Sequence, residues 1–218
     1  MKKKTILAMS AHPDDMELEA GGTLLKWANE GHDVYSLILT NGEYRSNNEV
    51  KFKKDEIFAE IKCSSKILGI KKTFFMDQLD TQLKCNGQII SEVDSIIDDI
   101  KPDFLISHHP FDSHQDHKAA SEIMFAVSRK GKVKNILTGA PLPYRPNIFA
   151  YKPQYFVDIS STINKKLEAL RCFKSQYDKY GGELWINRVK SVAIVSGWAM
   201  ELEYAESFEV IRVTGEFA

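Results

Sequence analysis

Two short clusters of histidine and aspartate have the residue types and spacing for metal chemistry. In the first, AHPDD, His12 and Asp15 are three residues apart and Asp14 lies between them. In the second, HHPFDSHQDH, His114 and His117 have the same spacing. Residues three apart share a face in one turn of a helix. Each pair can therefore point at a single ion or substrate atom.

The donor types favour a catalytic metal ion. Zinc prefers imidazole nitrogens and carboxylate oxygens, and a catalytic zinc has three protein ligands and one open position. We expect His12, Asp15 and His117 to bind Zn²⁺, for which Fe²⁺ could compete through the same donors. Asp14 would then accept a proton from water. His114, as an imidazolium, would stabilise an oxyanion or protonate a leaving amine.

Each cluster alone has a simpler interpretation. Aspartates that follow a strand often cap a helix, because carboxylates complement the positive end of the helix dipole. A single pair of histidines three apart is equally unspecific. The metal hypothesis therefore depends on a fold that brings the two clusters together.

The pattern of apolar residues predicts such a fold. Short apolar runs alternate with amphipathic stretches, which is typical of a parallel sheet with helices on both faces. Right-handed crossovers predict a Rossmann-like, doubly wound α/β fold, mostly parallel, with strand order 3-2-1-4-5. The clusters follow strands one and four, which are neighbours in that order. The metal site is expected at the carboxyl ends of these two strands.

The second half of the chain has a less regular pattern. We expect one helix over 160–177 and a last strand over 207–213. Neither an internal repeat nor an interdomain linker is evident, so residues 1–218 are expected to form one domain.

Composition argues against several classes of partner. With 29 Lys and Arg against 30 Asp and Glu, the chain has no excess charge to attract nucleic acid or a membrane surface. Its apolar stretches are shorter than the roughly 20 residues of a membrane-spanning helix. Cys63 and Cys172 are expected to be unpaired core residues in a reducing cytoplasm. A homo-oligomer is compatible with this composition.

The motifs AHPDDMELEAGGTL and DSHQDH together resemble those of the LmbE/PIG-L family of zinc-dependent N-deacetylases. The resemblance implies that His12, Asp15 and His117 bind the metal. It also implies that Asp14 is the general base and that His114 stabilises the tetrahedral intermediate. The implied substrate is a small N-acetylglucosamine-type sugar or glycoconjugate. Weaker similarity, through LTNGE, ILGI, SQY and YAESF, covers nearly the whole chain and implies a single LmbE-like deacetylase domain.

Residues near the motifs carry further expectations. Asp116 is expected to orient His114, and Asp112 to support the loop. Glu19 stands where the family often has glycine. We expect it to be a solvated residue of the first helical turn, with attraction of a cationic aminosugar as the alternative. His108 and His109 are expected to shape the floor of the pocket or to donate hydrogen bonds to the ligands, with a role as ligands themselves as the alternative.

Two loops are expected to contact the substrate. Arg45 lies in NGEYRSNN, and Tyr144 and Arg145 lie in PLPYRPNIFAY. These side chains could bind an anionic or sugar portion, although Tyr144 and Arg145 could equally pack within a proline-rich loop.

The sequence therefore predicts a metal-dependent hydrolase that removes an acetyl group from an N-acetylated sugar. One alternative is an amidase that acts on a non-sugar amide or on another N-acyl group. The other is a catalytically silent binding module with a structural metal. The presence of Asp14 and His114 argues against that last alternative.

Overall fold

The computed structural model describes residues 2–43, 45–46, 49–50, 54–140 and 150–214. The strands are β1 (Thr5–Ser10), β2 (Asp33–Thr40), β3 (Arg45–Ser46), β4 (Glu49–Val50), β5 (Lys72–Gln78), β6 (Phe104–Ser107), β7 (Asn135–Gly139), β8 (Tyr155–Asp158) and β9 (Ala205–Arg212). The α-helices are α1 (Asp15–Asn29), α2 (Lys54–Ile67), α3 (Gly87–Ile100), α4 (Gln115–Val127), α5 (Ile163–Arg171), α6 (Lys174–Lys179) and α7 (Glu183–Trp198).

A seven-stranded sheet with the order β5-β2-β1-β6-β7-β9-β8 forms the centre of the fold. Strands β5, β2, β1, β6 and β7 are parallel, which confirms the predicted order 3-2-1-4-5. Strands β9 and β8 extend this sheet with antiparallel pairing. The predicted last strand is thus present as β9.

Helices cover both faces of the sheet, and β1 shows why. Successive side chains of a strand point to opposite faces. Ile6 and Ala8 pack with α1, α5 and α7, whereas Leu7 and Met9 pack with α3 and α4. A strand with four consecutive apolar residues, Ile6 to Met9, therefore lies between two cores, as buried parallel strands do.

The region after β8 differs from the sequence prediction. The expected single helix over 160–177 is two helices, α5 and α6, with a break at Cys172 and Phe173. Helix α7 was not predicted. Its apolar residues lie on more than one face, because Ile186 and Val189 are buried while Val195 and Trp198 are exposed. Such a pattern weakens the amphipathic signal on which helix prediction depends.

The expectation that Cys63 and Cys172 are unpaired core residues is wrong, because Cys63 is exposed, Cys172 is only partly buried and the two are paired. Cys63 on α2 and Cys172 at the end of α5 form a disulfide across 109 residues. Cys85 is a free thiol. The cytoplasmic location stays a prediction. None of the described helices is both long enough and apolar enough to cross a membrane.

Candidate metal centre

The two histidine-aspartate motifs lie side by side because the strands before them are neighbours. Strands β1 and β6 pair in parallel, with Ala8 opposite Ile106, so the loops that follow them emerge at the same edge of the sheet. The first loop leads into α1 and the second into α4. Clefts outside the carboxyl ends of parallel strands are where such folds build their sites.

The helix-cap interpretation does not account for the aspartates of the first motif. Asp14 precedes α1, but its side chain makes no capping hydrogen bond. Its φ of 80° lies in the left-handed region that residues other than glycine rarely adopt. The next carboxylate, that of Asp15, accepts a hydrogen bond from the His12 N–H at 2.8 Å. Both aspartates line a pocket instead.

Asp15 lies between the two histidines that the sequence assigned to the metal. Its Oδ2 is 3.3 Å from His12 Nδ1, and its Oδ1 is 3.4 Å from His117 Nε2. Burial raises the pKa of Asp15, but His117 and His108 outweigh it and hold that pKa well below its usual range. Asp15 is therefore an ionised carboxylate that faces both imidazoles.

Among the residues that the structure describes, three overlapping sets of donors could hold an ion, and the donor atoms within each set lie within 4.8 Å of one another. The sets are His12, His114 and His117; Asp15, His108 and His117; and His12, Asp80 and Asp116. The predicted ligands His12, Asp15 and His117 are spread over the first two sets. Sequence reasoning did not identify Asp80, whose Oδ1 is 3.2 Å from His12 Nε2.

Asp116 contacts the His114 ring, as expected, but through its backbone N–H and not through its carboxylate. Its Oδ2 is 3.0 Å from His12 Nε2 and also accepts the Thr81 N–H at 2.6 Å, so its carboxylate orients His12 rather than His114. Asp112 does contact the loop. Its Oδ1 accepts the His114 N–H at 2.8 Å, and its Oδ2 is 3.2 Å from His117 Nδ1.

His114 differs in charge from the predicted imidazolium. Its Nδ1 accepts the Asp116 N–H at 3.2 Å, which leaves the ring proton on Nε2. Burial, together with His12 and His117, lowers the pKa of His114 to about 4. The ring is therefore neutral near pH 7 and can donate one hydrogen bond from Nε2.

The pKa of Asp14 is shifted upward, whereas that of His114 is shifted downward. Burial raises the pKa of Asp14 well above the usual range, and the carboxylates of Asp15 and Glu17 raise it further. Only 8% of the residue is exposed. A carboxylate that binds a proton more readily than usual is suited to general base chemistry.

Glu19 is buried, not solvated as expected. Its Oε1 is 2.8 Å from Nδ1 of His108, which is itself buried. Burial lowers the pKa of His108, but Glu19 and Asp15 raise it to about 10 overall. The Ala11 N–H nevertheless donates to His108 Nε2 at 2.9 Å, and a doubly protonated ring could not accept that bond. The hydrogen-bond geometry thus favours a neutral ring with its proton on Nδ1.

We call His12, Asp14, Asp15, His114 and His117 the floor of the pocket. The rim is formed by side chains of α2, the α6 region and α7, namely Ile57, Glu60, Phe173, Ser175, Gln176, Lys179, Tyr180 and Trp185. Glu60 joins two of these segments, because its carboxylate accepts hydrogen bonds from the Ser175 N–H at 3.0 Å and the Ser175 hydroxyl at 2.9 Å.

The rim was not predicted as a substrate region. Its residues lie in ordinary helical patterns, and only the family-like SQY stretch, 175–177, could have indicated it. The residues that were predicted to contact substrate cannot be compared with it. Tyr144, Arg145 and the side chain of Arg45 lie outside the described residues.

Comparison with known proteins places this site in a family. The family model PIG-L, described as GlcNAc-PI de-N-acetylase, matches residues 7–128, a span that contains both motifs. The chain belongs to the PIG-L family. This membership confirms the resemblance drawn from AHPDD and DSHQDH.

Several known proteins are similar to most of the chain. Diacetylchitobiose deacetylase of Thermococcus kodakarensis is 30% identical over 95% of this chain and 83% of its own length. The solved structure of N,N'-diacetylchitobiose deacetylase from Pyrococcus horikoshii matches with a TM-score of 0.82 at 22% identity, over 96% of this chain and 84% of that one. The chain is also similar to 4-oxalmesaconate hydratase of Pseudomonas putida, at 26% identity over 99% of this chain and 93% of the hydratase.

Proposed function

We propose that this chain is a zinc-dependent N-deacetylase that hydrolyses the acetamido group of an N-acetylglucosamine-type sugar, with Fe²⁺ as the alternative ion. The observation that carries the proposal is the convergence of His12, Asp15 and His117 beside Asp14 in a member of the PIG-L family. The similarity to a diacetylchitobiose deacetylase supports the sugar substrate.

The donor set fits a metal ion. His12 Nε2 faces Asp116 and His117 Nδ1 faces Asp112, so the other nitrogen of each ring lies beside Asp15. Histidines that bind metals usually have a carboxylate or carbonyl on the nitrogen away from the ion. His12 Nδ1, His117 Nε2 and an Asp15 oxygen would therefore hold zinc. When bound, the ion would lower the pKa of a water molecule and polarise the acetyl carbonyl.

Asp14 and His114 would divide the proton chemistry between them. Asp14, with its raised pKa, would take a proton from the attacking water and deliver it to the departing amine nitrogen. Neutral His114 would donate a hydrogen bond from its Nε2–H to the carbonyl oxygen, which becomes negative as water attacks the acetyl carbon. One carboxylate could thus serve as base and then as acid.

The remaining parts of the proposal concern substrate and organisation. The substrate would be a small N-acetyl sugar or glycoconjugate held over the floor by the rim. Contacts from Arg45, Tyr144 and Arg145 stay a prediction. So do a single domain over 1–218, the absence of nucleic-acid and membrane partners, and a cytoplasmic location.

The test is a panel of N-acetyl sugars incubated with the zinc-loaded protein, with acetate and free amine both measured. We expect equal amounts of the two products from at least one N-acetylglucosamine derivative. Because one relative is named a hydratase, product release is a sharper test than metal binding. A zinc-loaded chain that releases neither product from any member of the panel would contradict the proposal.

A further inference from the structure

Two consecutive histidines at the end of β6 each pair with a glutamate, and one of these pairs lies directly beneath the floor. We infer that Glu19 and His108 are positioning residues that hold Asp15 and His117 in the arrangement an ion requires. The inference rests on the proposed function, because it concerns the same metal site. It makes the expected supporting role of His108 specific, and it gives Glu19 a role that was not predicted from the sequence.

His108 contacts both of these proposed ligands. Its ring stacks on that of His117, with centroids 3.8 Å apart and an angle of 26° between the planes. Its Nε2 is 3.3 Å from Asp15 Oδ2 and accepts the Ala11 N–H at 2.9 Å. The ring therefore packs against one proposed ligand from each motif and accepts a hydrogen bond from the backbone just before His12. A tilt of the His108 ring would therefore displace Asp15, His117 and the backbone at Ala11.

Glu19 fixes the orientation of His108. It lies one helical turn after Asp15 on α1, and its Oε1 is 2.8 Å from His108 Nδ1. This contact selects the tautomer with the proton on Nδ1, and the Nε2 lone pair then faces Ala11 and the metal side. Outer carboxylates of this kind orient metal-binding sites, and their loss typically weakens metal affinity or activity.

Burial of the Glu19 carboxylate is unfavourable to the free energy of folding and therefore needs an explanation. Its Oε2 is buried and has no hydrogen-bond partner among the described atoms. A buried carboxylate oxygen without a partner destabilises the folded protein. Room for this oxygen depends on Gly139, because a Cβ at that position would collide with Glu19 Oε2 and lie 2.7 Å from Glu19 Cβ. Substitution of Gly139 therefore offers a way to displace Glu19 without altering it.

The second pair provides a matched control. His109 Nε2 is 3.1 Å from Glu209 Oε2, at nearly the same separation as the first pair. The contacts of His109 lie elsewhere, with the Phe111 N–H at 3.3 Å and the Tyr151 ring at 5.5 Å between centroids. Glu209→Gln thus removes the same charge from a His–Glu pair with the same chemistry, but away from Asp15 and His117.

The experiment compares Glu19→Gln, Glu209→Gln and wild type in zinc affinity, measured by competition with a chromophoric chelator. The d–d absorption spectrum of the Co²⁺-substituted protein is recorded as well. We expect Glu19→Gln to weaken zinc binding by about 10- to 100-fold and to shift the cobalt bands. Glu209→Gln should leave both within about threefold of wild type, as substitutions away from such a site usually do.

Two further variants keep the inference testable if Glu19→Gln does not fold. Gly139→Ala should weaken zinc binding in the same direction, because it displaces the intact Glu19 side chain. His108→Asn should match Glu19→Gln, and the double variant Glu19→Gln/His108→Asn should lose little more than either single one, because the residues act as a unit.

Different experimental outcomes would overturn the inference and the proposed function. If wild type binds zinc and releases acetate while Glu19→Gln behaves like Glu209→Gln, the inference is overturned alone. Full additivity in the double variant would also overturn it, because the residues would then act separately. A wild-type chain that neither binds zinc nor releases acetate would overturn the proposed function and the inference together.

Discussion

The floor and the rim of the pocket are assembled in different ways. Each half of the floor is a contiguous motif directly after a strand, and adjacent parallel strands bring the halves together. The rim joins α2 to segments after β8, as in the Glu60–Ser175 contact across 115 residues. In the proposed function, the floor carries the groups that move protons or bind an ion, and the rim would contact the part of the substrate attached to the reacting group. Substitutions in the floor should therefore change kcat, and substitutions in the rim should change KM.

Removal of the proposed base should have the largest effect. Asp14→Ala is expected to lower kcat by about 10²- to 10⁴-fold, the usual contribution of general acid–base catalysis. Zinc content should stay near that of wild type, because Asp14 is not among the proposed ligands. The measurements are acetate release and bound metal. Near-normal turnover by Asp14→Ala would contradict its role and remove the kinetic distinction between floor and rim.

Substitution of His114, another floor residue, should have the second-largest effect on turnover. His114→Ala is expected to lower kcat by about 10²- to 10³-fold with a small change in KM, since its Nε2–H would act on charge that develops during the reaction. Steady-state kinetics on the best substrate of the panel would measure this. A rise in KM with unchanged kcat would instead assign His114 to substrate binding, as expected for the rim.

A rim residue should show the reverse pattern. Tyr180 lies at the pocket with 39% of its surface exposed. Tyr180→Ala should raise KM by about 2- to 10-fold and leave kcat within about twofold, because an aromatic contact contributes roughly 0.5–1.5 kcal/mol. Trp198→Ala, which removes a side chain that is 82% exposed on α7 and is not among the pocket residues, is the control. A fall in kcat for Tyr180→Ala alone would place Tyr180 with the floor.

The disulfide should have the smallest effect on turnover and a clear effect on stability. Cys63→Ser/Cys172→Ser is expected to lower the free energy of unfolding by about 2–4 kcal/mol, because the bond closes a long loop of the unfolded chain. Denaturant unfolding measures this, with Cys85→Ser as the control. Activity per folded molecule should change less than about twofold. An unchanged unfolding midpoint would mean that other contacts alone hold α2 against α5.

The contrast between floor and rim also explains how much of the site could be predicted from the sequence. Alternating strands and helices fixed the parallel order, and that order predicted that His12 and His117 would meet. The partner of Asp116 was not predictable in this way, since its carboxylate faces Thr81, which packing brings in from 35 residues away. The Cys63–Cys172 pair and the rim depend on similar packing between distant helices.

Glu19 was missed for a different reason. Glutamate is usually exposed, and this general tendency favoured a solvated side chain. Its position gave the better signal, because Glu19 lies four residues after Asp15 and thus on the same face of α1. Because Asp15 is a proposed metal ligand, the residue one turn later on the same face, Glu19, is also expected to point into the protein.

Removal and return of the metal tests the central claim most directly. The protein would be stripped with a chelator, dialysed, and then titrated with zinc while acetate release from the best N-acetyl sugar is measured. We predict that the stripped protein is folded but inactive, and that activity returns in proportion to zinc, up to one ion per chain. Full activity in a chain shown to contain no metal would contradict the account.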